Sequence, residues 1–386
     1  MTSRIPLVKD TISNTEIDSL VSWLKTYPRL TKGPNTESFE KKWSEWNGNK
    51  HSVFVSSGSA ANLAAFYALI ISGRMKNKRV ILPAVSWATT VAPAIQLGLE
   101  PVLCDCNMRN LGLDIDHLER LVKEHDPALI VTVNVLGFSN DYDKVLEICE
   151  RNGTLLIEDS CESIGTVYQG KKTGNFGHIS TFSYYYGHHM STIEGGMVCT
   201  NDEELEQLVK SIRCHGWDRD LNPEVQEKYR KKYGIDDFRA LYTFYHPGFN
   251  MRCTDLQAFL GLSQLERIDR IVDNRQKNFA KYTVHLSSNW GLDVTDHDVV
   301  SNFAYPVIVN NPSLVAKRLQ DSGIESRPLI CGSISRQPYW YERFGKCTLP
   351  NADRIHDFGM YLPNNPDMQS EEIEEVCKVV TETQGL

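Results

Sequence analysis

The chain has 386 residues, 41% of them hydrophobic and 23% charged, with a formal net charge of −8. That length calls for two domains and that balance for an ordinary soluble globular protein; an acidic chain gives no basis for binding nucleic acid or an anionic membrane. The first ten residues hold no apolar core of signal-peptide length, and the longest apolar run, 63–71, is too short to span a bilayer, so a cytoplasmic location is expected.

Short, nearly continuous apolar runs at 52–55, 80–82, 101–104, 129–135, 154–157, 179–184 and 197–200 are predicted strands. Helical patterns at 60–71, 115–124 and 142–150 lie between them. Runs apolar on both faces need a sheet covered on both sides, and the alternation implies a mostly parallel α/β sheet flanked by helices. Further helices are predicted over 203–214 and 255–272, the second opening on the capping-box pair Thr254 and Gln257. Residues 218–247 are charged and aromatic with little periodicity, and read as one long functional loop. A second α/β unit follows, with a strand over 304–309 and a terminal helix over 371–383. The predicted division is a large domain over 1–250, including the N-terminal segment, and a small C-terminal α/β domain over 251–386. Ten scattered cysteines without a signal peptide are expected to be reduced and mostly buried. The one C-x-C pair, Cys104 and Cys106, sits on an apolar stretch, and no C-x-x-C pair offers a zinc site, so no metal role is expected.

Chemistry gathers at the strand ends. Residues 55–62 carry a strand through small residues into a helix, leaving backbone N–H groups and the positive helix end aimed at one spot. Gly58 and Ser59 there suit a phosphate; a turn that only lets the helix pack is the plain alternative. Glu158, Asp159 and Glu162 follow a buried strand at the edge where α/β sheets bind ligands. Asp159 suits a pyridine nitrogen, which a carboxylate keeps protonated; a helix N-cap is the alternative, and Glu158 reads equally as a solvated end-of-strand charge. Trp87 offers an indole face that stacks on such a ring or packs in the core. Ser183, at another strand end, can present its hydroxyl to the phosphate.

Together these residues resemble the DegT/StrS family of sugar aminotransferases, fold-type I enzymes that use pyridoxal phosphate (PLP). The similarity runs over nearly the whole chain, from the phosphate turn to Arg327-Pro328. The family holds PLP on a lysine that precedes a Thr-Thr-Gly-Glu-Gly-Gly type of segment. Here His188 precedes His189-Met190-Ser191-Thr192-Ile193-Glu194-Gly195-Gly196, and the Glu194-Gly195-Gly196 anchor puts His188 at the lysine's place. An imidazole cannot form the Schiff base, yet it moves protons near neutral pH. That exchange resembles a subgroup of sugar 3-dehydratases.

The resemblance implies roles for particular residues. Gly58, Ser59 and Ser183 would hold the phosphate, Trp87 would stack on the ring and Asp159 would meet its nitrogen. Glu162 stands where the family usually has a glutamine near the ring hydroxyl. Asn250 would reach the phosphate of a neighbouring subunit, which implies a homodimer with shared active sites. Arg219 and Arg327 would bind substrate, since arginine favours anionic groups. His188 and His215 would share the proton transfers, and His189 is read as structural. PLP and pyridoxamine phosphate (PMP) are the implied cofactor, and L-glutamate the amino donor. The implied substrate is a nucleotide-linked 4-keto-6-deoxy sugar, GDP-4-keto-6-deoxy-D-mannose, which loses its C3 hydroxyl. A second histidine-bearing subgroup acts on CDP-sugars with an iron–sulfur cluster; Cys199, Cys214 and Cys253, without a C-x-C, leave such a cluster short of ligands. Two other readings stay open: an aminotransferase with histidine as proton carrier, and a non-catalytic PLP or nucleotide-sugar binder.

Overall fold

Nine short strands and seven α-helices precede residue 214 in the computed structural model, which describes residues 4–286 and 290–384. The strands are β1 (His51–Val55), β2 (Arg79–Pro83), β3 (Glu100–Cys104), β4 (Leu129–Val133), β5 (Leu155–Asp159), β6 (Val167–Tyr168), β7 (Lys171–Lys172), β8 (Ile179–Ser183) and β9 (Gly196–Thr200). Seven of them form one sheet in the order β1-β9-β8-β5-β4-β2-β3. Neighbours from β8 to β3 run parallel, while β9 is antiparallel to both of its partners. All seven predicted strands are present. The run predicted as 129–135 stops at Val133, because Val135–Gly137 turns into a 3-10 helix with Leu136 at φ 48.

Side chains alternate across the sheet, so each strand feeds two cores. The helices of this part of the chain are α1 (Asn14–Leu24), α2 (Pro34–Asn47), α3 (Gly58–Ile71), α4 (Ala88–Gln96), α5 (Ile115–His125), α6 (Tyr142–Asn152) and α7 (Glu203–Arg213). Val80, Leu82, Leu129 and Val131 pack with α3 and α4 residues, whereas Ile81, Ile130 and Leu156 pack with α5 and α6. Phe39 and Trp43 of α2 close a third cluster over Phe54 and Phe182. Cys104 and Cys106 fall into opposite cores. All ten cysteines are free, and Cys347 alone is classed as exposed. Among the described residues no group of histidine, cysteine or acidic side chains is arranged to hold a metal, and no helix is long and apolar enough to cross a membrane.

Beyond α7 the structure departs from prediction twice. The stretch 218–247 is not one loop: α8 (Pro223–Tyr233) and α9 (Asp237–Ala240) lie within it. Proline at the start of α8 and Gly234 in the left-handed region past its end supply the start and stop signals. The helix predicted over 255–272 is two, α10 (Asp255–Leu265) and α11 (Ile268–Leu286). The Thr254–Gln257 capping box does open α10, which packs on α2. After β10 (His297–Val299), which joins β6 and β7, a small antiparallel sheet forms from β11 (Ala304–Ile308), β12 (Arg327–Pro328) and β13 (Gly359–Pro363), in the order β11-β13-β12. Its helices are α12 (Pro312–Asp321), α13 (Pro338–Phe344), α14 (Pro350–Phe358) and α15 (Ser370–Gln384), with α11 and α12 packed on α15. The N-terminal strand-like segment joins this unit, as Ile5 bridges to Ile324.

Candidate active site

A cavity of about 380 Å³ opens where β1, β5 and β8 end. That size falls within the usual small-molecule range of about 300–1,000 Å³. Gly58 begins α3 on its floor. A Cβ there would lie 2.6 Å from Ser183 Cβ and 3.1 Å from Cys161 Sγ, so glycine lets the helix start approach the end of β8. The Ser57 hydroxyl caps α3 by accepting from Ala60 N at 3.1 Å, and Ser59 Oγ meets Thr89 Oγ1 at 2.9 Å. Ala60 N is taken by that cap and Ala61 N by the Ser57 carbonyl at 2.9 Å, which leaves the Gly58 and Ser59 amides of this first turn for an anion.

Asp159 and Glu158 are neighbours on β5, so their side chains leave opposite faces. Asp159 turns to the cavity. Its carboxylate accepts from Asn62 Nδ2 and Thr90 Oγ1 at 2.8 Å each and from Cys161 N at 3.0 Å, which leaves it one orientation. Glu158 is not a solvated charge: it is fully buried and accepts from Asn134, Ser160 and the backbone of Gly174, Phe176 and Gly177. Its role is to hold the 174–177 turn. Glu162 is buried at the cavity edge and accepts from Leu136 N at 2.9 Å. Burial raises its carboxyl to about 8; the Leu136 hydrogen bond opposes this and nearby Asp159 adds to it.

Trp87 lies at the cap of α4 with 56% of its surface exposed, so it is not core packing; its side chain lines the cavity. Ser183 ends β8 on the same wall. His188 sits in the turn that follows, its backbone N–H donating to the Tyr185 carbonyl at 2.9 Å. Its ring lies 5.4 Å edge-on to Phe303, and its Nδ1 is buried with no hydrogen-bond partner. Burial and then the charge of Arg275 lower the imidazole to about 4, against a raising contribution from the Cys161 backbone. It is therefore uncharged at neutral pH. His189 points away, fully buried, with Nε2 at 3.2 Å from the Ser301 carbonyl.

Seven of the sequence-derived residues thus share one cavity: Gly58, Ser59, Trp87, Asp159, Glu162, Ser183 and His188. His215, Arg219, Asn250 and Arg327 do not line it. His215 and Asn250 lie together, linked through Arg252, which meets His215 Nε2 at 3.4 Å and donates to Asn250 Oδ1 at 3.1 Å. Arg219 stacks on Trp217 at 4.0 Å, beside the exposed rings of Tyr242 and Phe244. Arg327 is exposed on β12, paired in register with Tyr361, which does line the cavity. Sequence reasoning missed Asn62, Thr90, Phe303 and Tyr361. Asn62 and Thr90 sit one turn into helices that follow strand ends, a placement that could have flagged them.

This cavity on this sheet defines a class. The model of the DegT/DnrJ/EryC1/StrS aminotransferase family matches residues 11–381, and the chain belongs to that family. More particularly, it is 33% identical to GDP-4-keto-6-deoxy-D-mannose 3-dehydratase of Yersinia pseudotuberculosis, over 97% of this chain and 98% of the relative. It is 32% identical to the protein of the same name from Escherichia coli O55:H7, over 97% and 99%. Among solved structures, a mutant of GDP-4-keto-6-deoxymannose-3-dehydratase with bound GDP-perosamine superposes with a TM-score of 0.89 at 30% identity, covering 98% of this chain and all of that one (100%). The Escherichia coli enzyme with bound hydrated PLP gives 0.88 at 28% identity and the same coverage.

The residues present fit PLP. The glycine-floored helix start suits its phosphate, Trp87 its ring face and Asp159 its nitrogen, and no lysine lines the cavity among the described residues.

Proposed function

We propose that this protein is a PLP/PMP-dependent 3-dehydratase that removes the C3 hydroxyl of GDP-4-keto-6-deoxy-D-mannose, with L-glutamate as amino donor. The observation that carries it is His188: an uncharged imidazole with an unpartnered buried Nδ1 stands on the cavity wall, and the resemblance gives that residue the family's lysine position. When bound, the cofactor takes up the amino group of glutamate and spreads negative charge into its ring. Asp159, fixed by its three donors, receives the ring nitrogen's proton-bearing side and supports that charge. The N–H groups at the start of α3, with Ser183, anchor the phosphate, and Trp87 holds the ring plane. His188 accepts a proton at the carbon next to the ring and is placed to hand one to the departing hydroxyl. Having no primary amine, it cannot recapture the cofactor covalently as a lysine would. In the net reaction glutamate is oxidised to 2-oxoglutarate, its electrons end in the new C3–H bond, and the hydroxyl leaves as water. The sugar's 4-keto group is restored by hydrolysis, which frees ammonia.

The same reading makes the protein a cytoplasmic homodimer. His215, Arg219 and Asn250 stand apart from their own cavity, and Arg219 lies 5.4 Å from the ring of Tyr242, which is 75% accessible; this supports their serving a partner's site. Arg327 belongs with the substrate, beside Tyr361. The test is stoichiometry: with PLP, glutamate and the sugar nucleotide, ammonia and 2-oxoglutarate form in equal amounts. 2-Oxoglutarate without ammonia would favour an aminotransferase, and neither product a binding protein.

A further inference from the structure

Helix α11 buries a charge that the reaction does not use. Arg275 is 3% exposed, and no carboxylate lies within ion-pair distance of it among the described residues. Its Nη1 donates to the backbone carbonyls of Phe303 at 3.1 Å and Asn364, with a longer contact to Asn302 at 3.5 Å. Its Nη2 donates to the carbonyl of His188 at 3.3 Å, and its Nε has no partner. A buried cation met only by carbonyl dipoles is costly, and an apolar side chain would fill the space without that cost. Buried charges that persist on such terms concentrate around functional sites.

The segments that the guanidinium joins all border the cavity. One is the His188 turn. Another carries Phe303, whose ring packs edge-on against the imidazole. The third leaves β13, whose Tyr361 lines the cavity and meets Phe303 at 5.9 Å.

We propose that Arg275 is a positioning residue for His188, tying its carbonyl to the two C-terminal segments behind the cavity and setting a fixed positive charge against its imidazole. The guanidinium's planar fork reaches several carbonyls at once, which an ammonium does less well. Its charge disfavours a second cation beside it, so the histidine stays in the form that accepts a proton. The imidazole pKa of about 4 follows from burial first and Arg275 second, and His189 is lowered by the same two causes. Around His188 the cavity also presents Asp159, Glu162, Glu194, Cys161, Tyr185 and Tyr361. On the other side Arg275 feels Asp367, itself paired with Lys9 at 2.9 Å. Arg275 is thus the cation that acts on the imidazole.

The role rests on His188 being the base of the proposed reaction, but its test needs neither cofactor nor sugar. Diethyl pyrocarbonate acylates neutral imidazole, and peptide mass spectrometry reads the rate at His188 as a function of pH on the cofactor-free protein. The parent keeps its plateau rate down to about pH 5, where an ordinary histidine, with a midpoint of about 6.5, is already protonated. Arg275→Gln raises the His188 midpoint by about one unit, a common effect of a neighbouring charge. Arg275→Lys keeps the charge and therefore the parent's midpoint, while losing the fork and lowering kcat. An unchanged midpoint in Arg275→Gln overturns the proposal. So does a parent midpoint near 6.5, which is decisive even if the variant fails to fold. Because the titration is read without substrate, its failure leaves the dehydratase reading standing, and failure of that reading leaves the titration intact.

Discussion

Gly58→Ala perturbs the cofactor floor by a single methyl group. The added Cβ would lie 2.6 Å from Ser183 Cβ, 3.0 Å from Ser183 Oγ and 3.1 Å from Cys161 Sγ. Carbon contacts relax at about 3.5–4.0 Å, so the start of α3 must retreat from β8 by roughly 1 Å. Forcing a methyl into a packed site costs about 1–3 kcal/mol, offset by roughly 0.5–1 kcal/mol for replacing glycine with alanine in a helix. The fold therefore survives. The amides of the first turn, which the phosphate needs, are displaced, and a hydrogen bond to a charged group is worth about 1.5–3 kcal/mol. PLP affinity should fall about 10- to 100-fold, at about 1.4 kcal/mol per tenfold. Absorbance titration with PLP measures the Kd, and urea denaturation checks stability. A Kd within about twofold of the parent would refute the argument that glycine is required for that close approach.

Glu162 gives a pH prediction whose sign is fixed by its carboxyl standing at about 8, above the ordinary glutamate value of 4.5. Its contribution to folding is fully present below the unfolded value and is lost as pH rises through about 8. Cofactor-free parent should lose stability between pH 5 and pH 9 more steeply than Glu162→Gln, and parallel profiles would contradict this. Arg213, fully buried, donates to Glu40 Oε1 at 2.6 Å and to the Phe54 carbonyl at 2.8 Å. Arg213→Met strands that carboxylate and should lower the unfolding free energy in urea by about 3–5 kcal/mol; a loss under about 1 kcal/mol would show that water reaches the site. Shared sites predict that His188→Asn and Asn250→Ala, each inactive alone, regain activity when co-refolded. Mixing without recovery would place both residues in one subunit's site.

The central sheet was legible because its strands are buried on both faces, which leaves nearly continuous apolar runs such as 129–133, every residue of which is buried. Helices α1 and α2, absent from the predicted elements, carry local signals of their own: a Ser13–Glu16 capping box, and Pro34 with Gly48 at the two ends of α2. The break between α10 and α11 was not legible, since the apolar spacing continues through it. There Arg267 turns aside to Glu16 at 2.8 Å and the Thr11 carbonyl at 2.7 Å, partners far away in sequence. Asp159 and Glu158 show the limit at the site. The pleat sends them to opposite faces, and only the loops around β5 decide that Asp159 meets the cavity while Glu158 braces a turn. Phe303, Tyr361 and Arg275 come from separate elements, so nothing local marks them.

The most direct test of the histidine's role is the mass of the sugar product made in deuterium oxide from GDP-4-keto-6-deoxy-D-mannose, PLP and L-glutamate. The account predicts a ketone lacking one oxygen, with deuterium at C3. An amino sugar that keeps its C3 hydroxyl would contradict it, and so would a His188→Lys variant that dehydrates as fast as the parent.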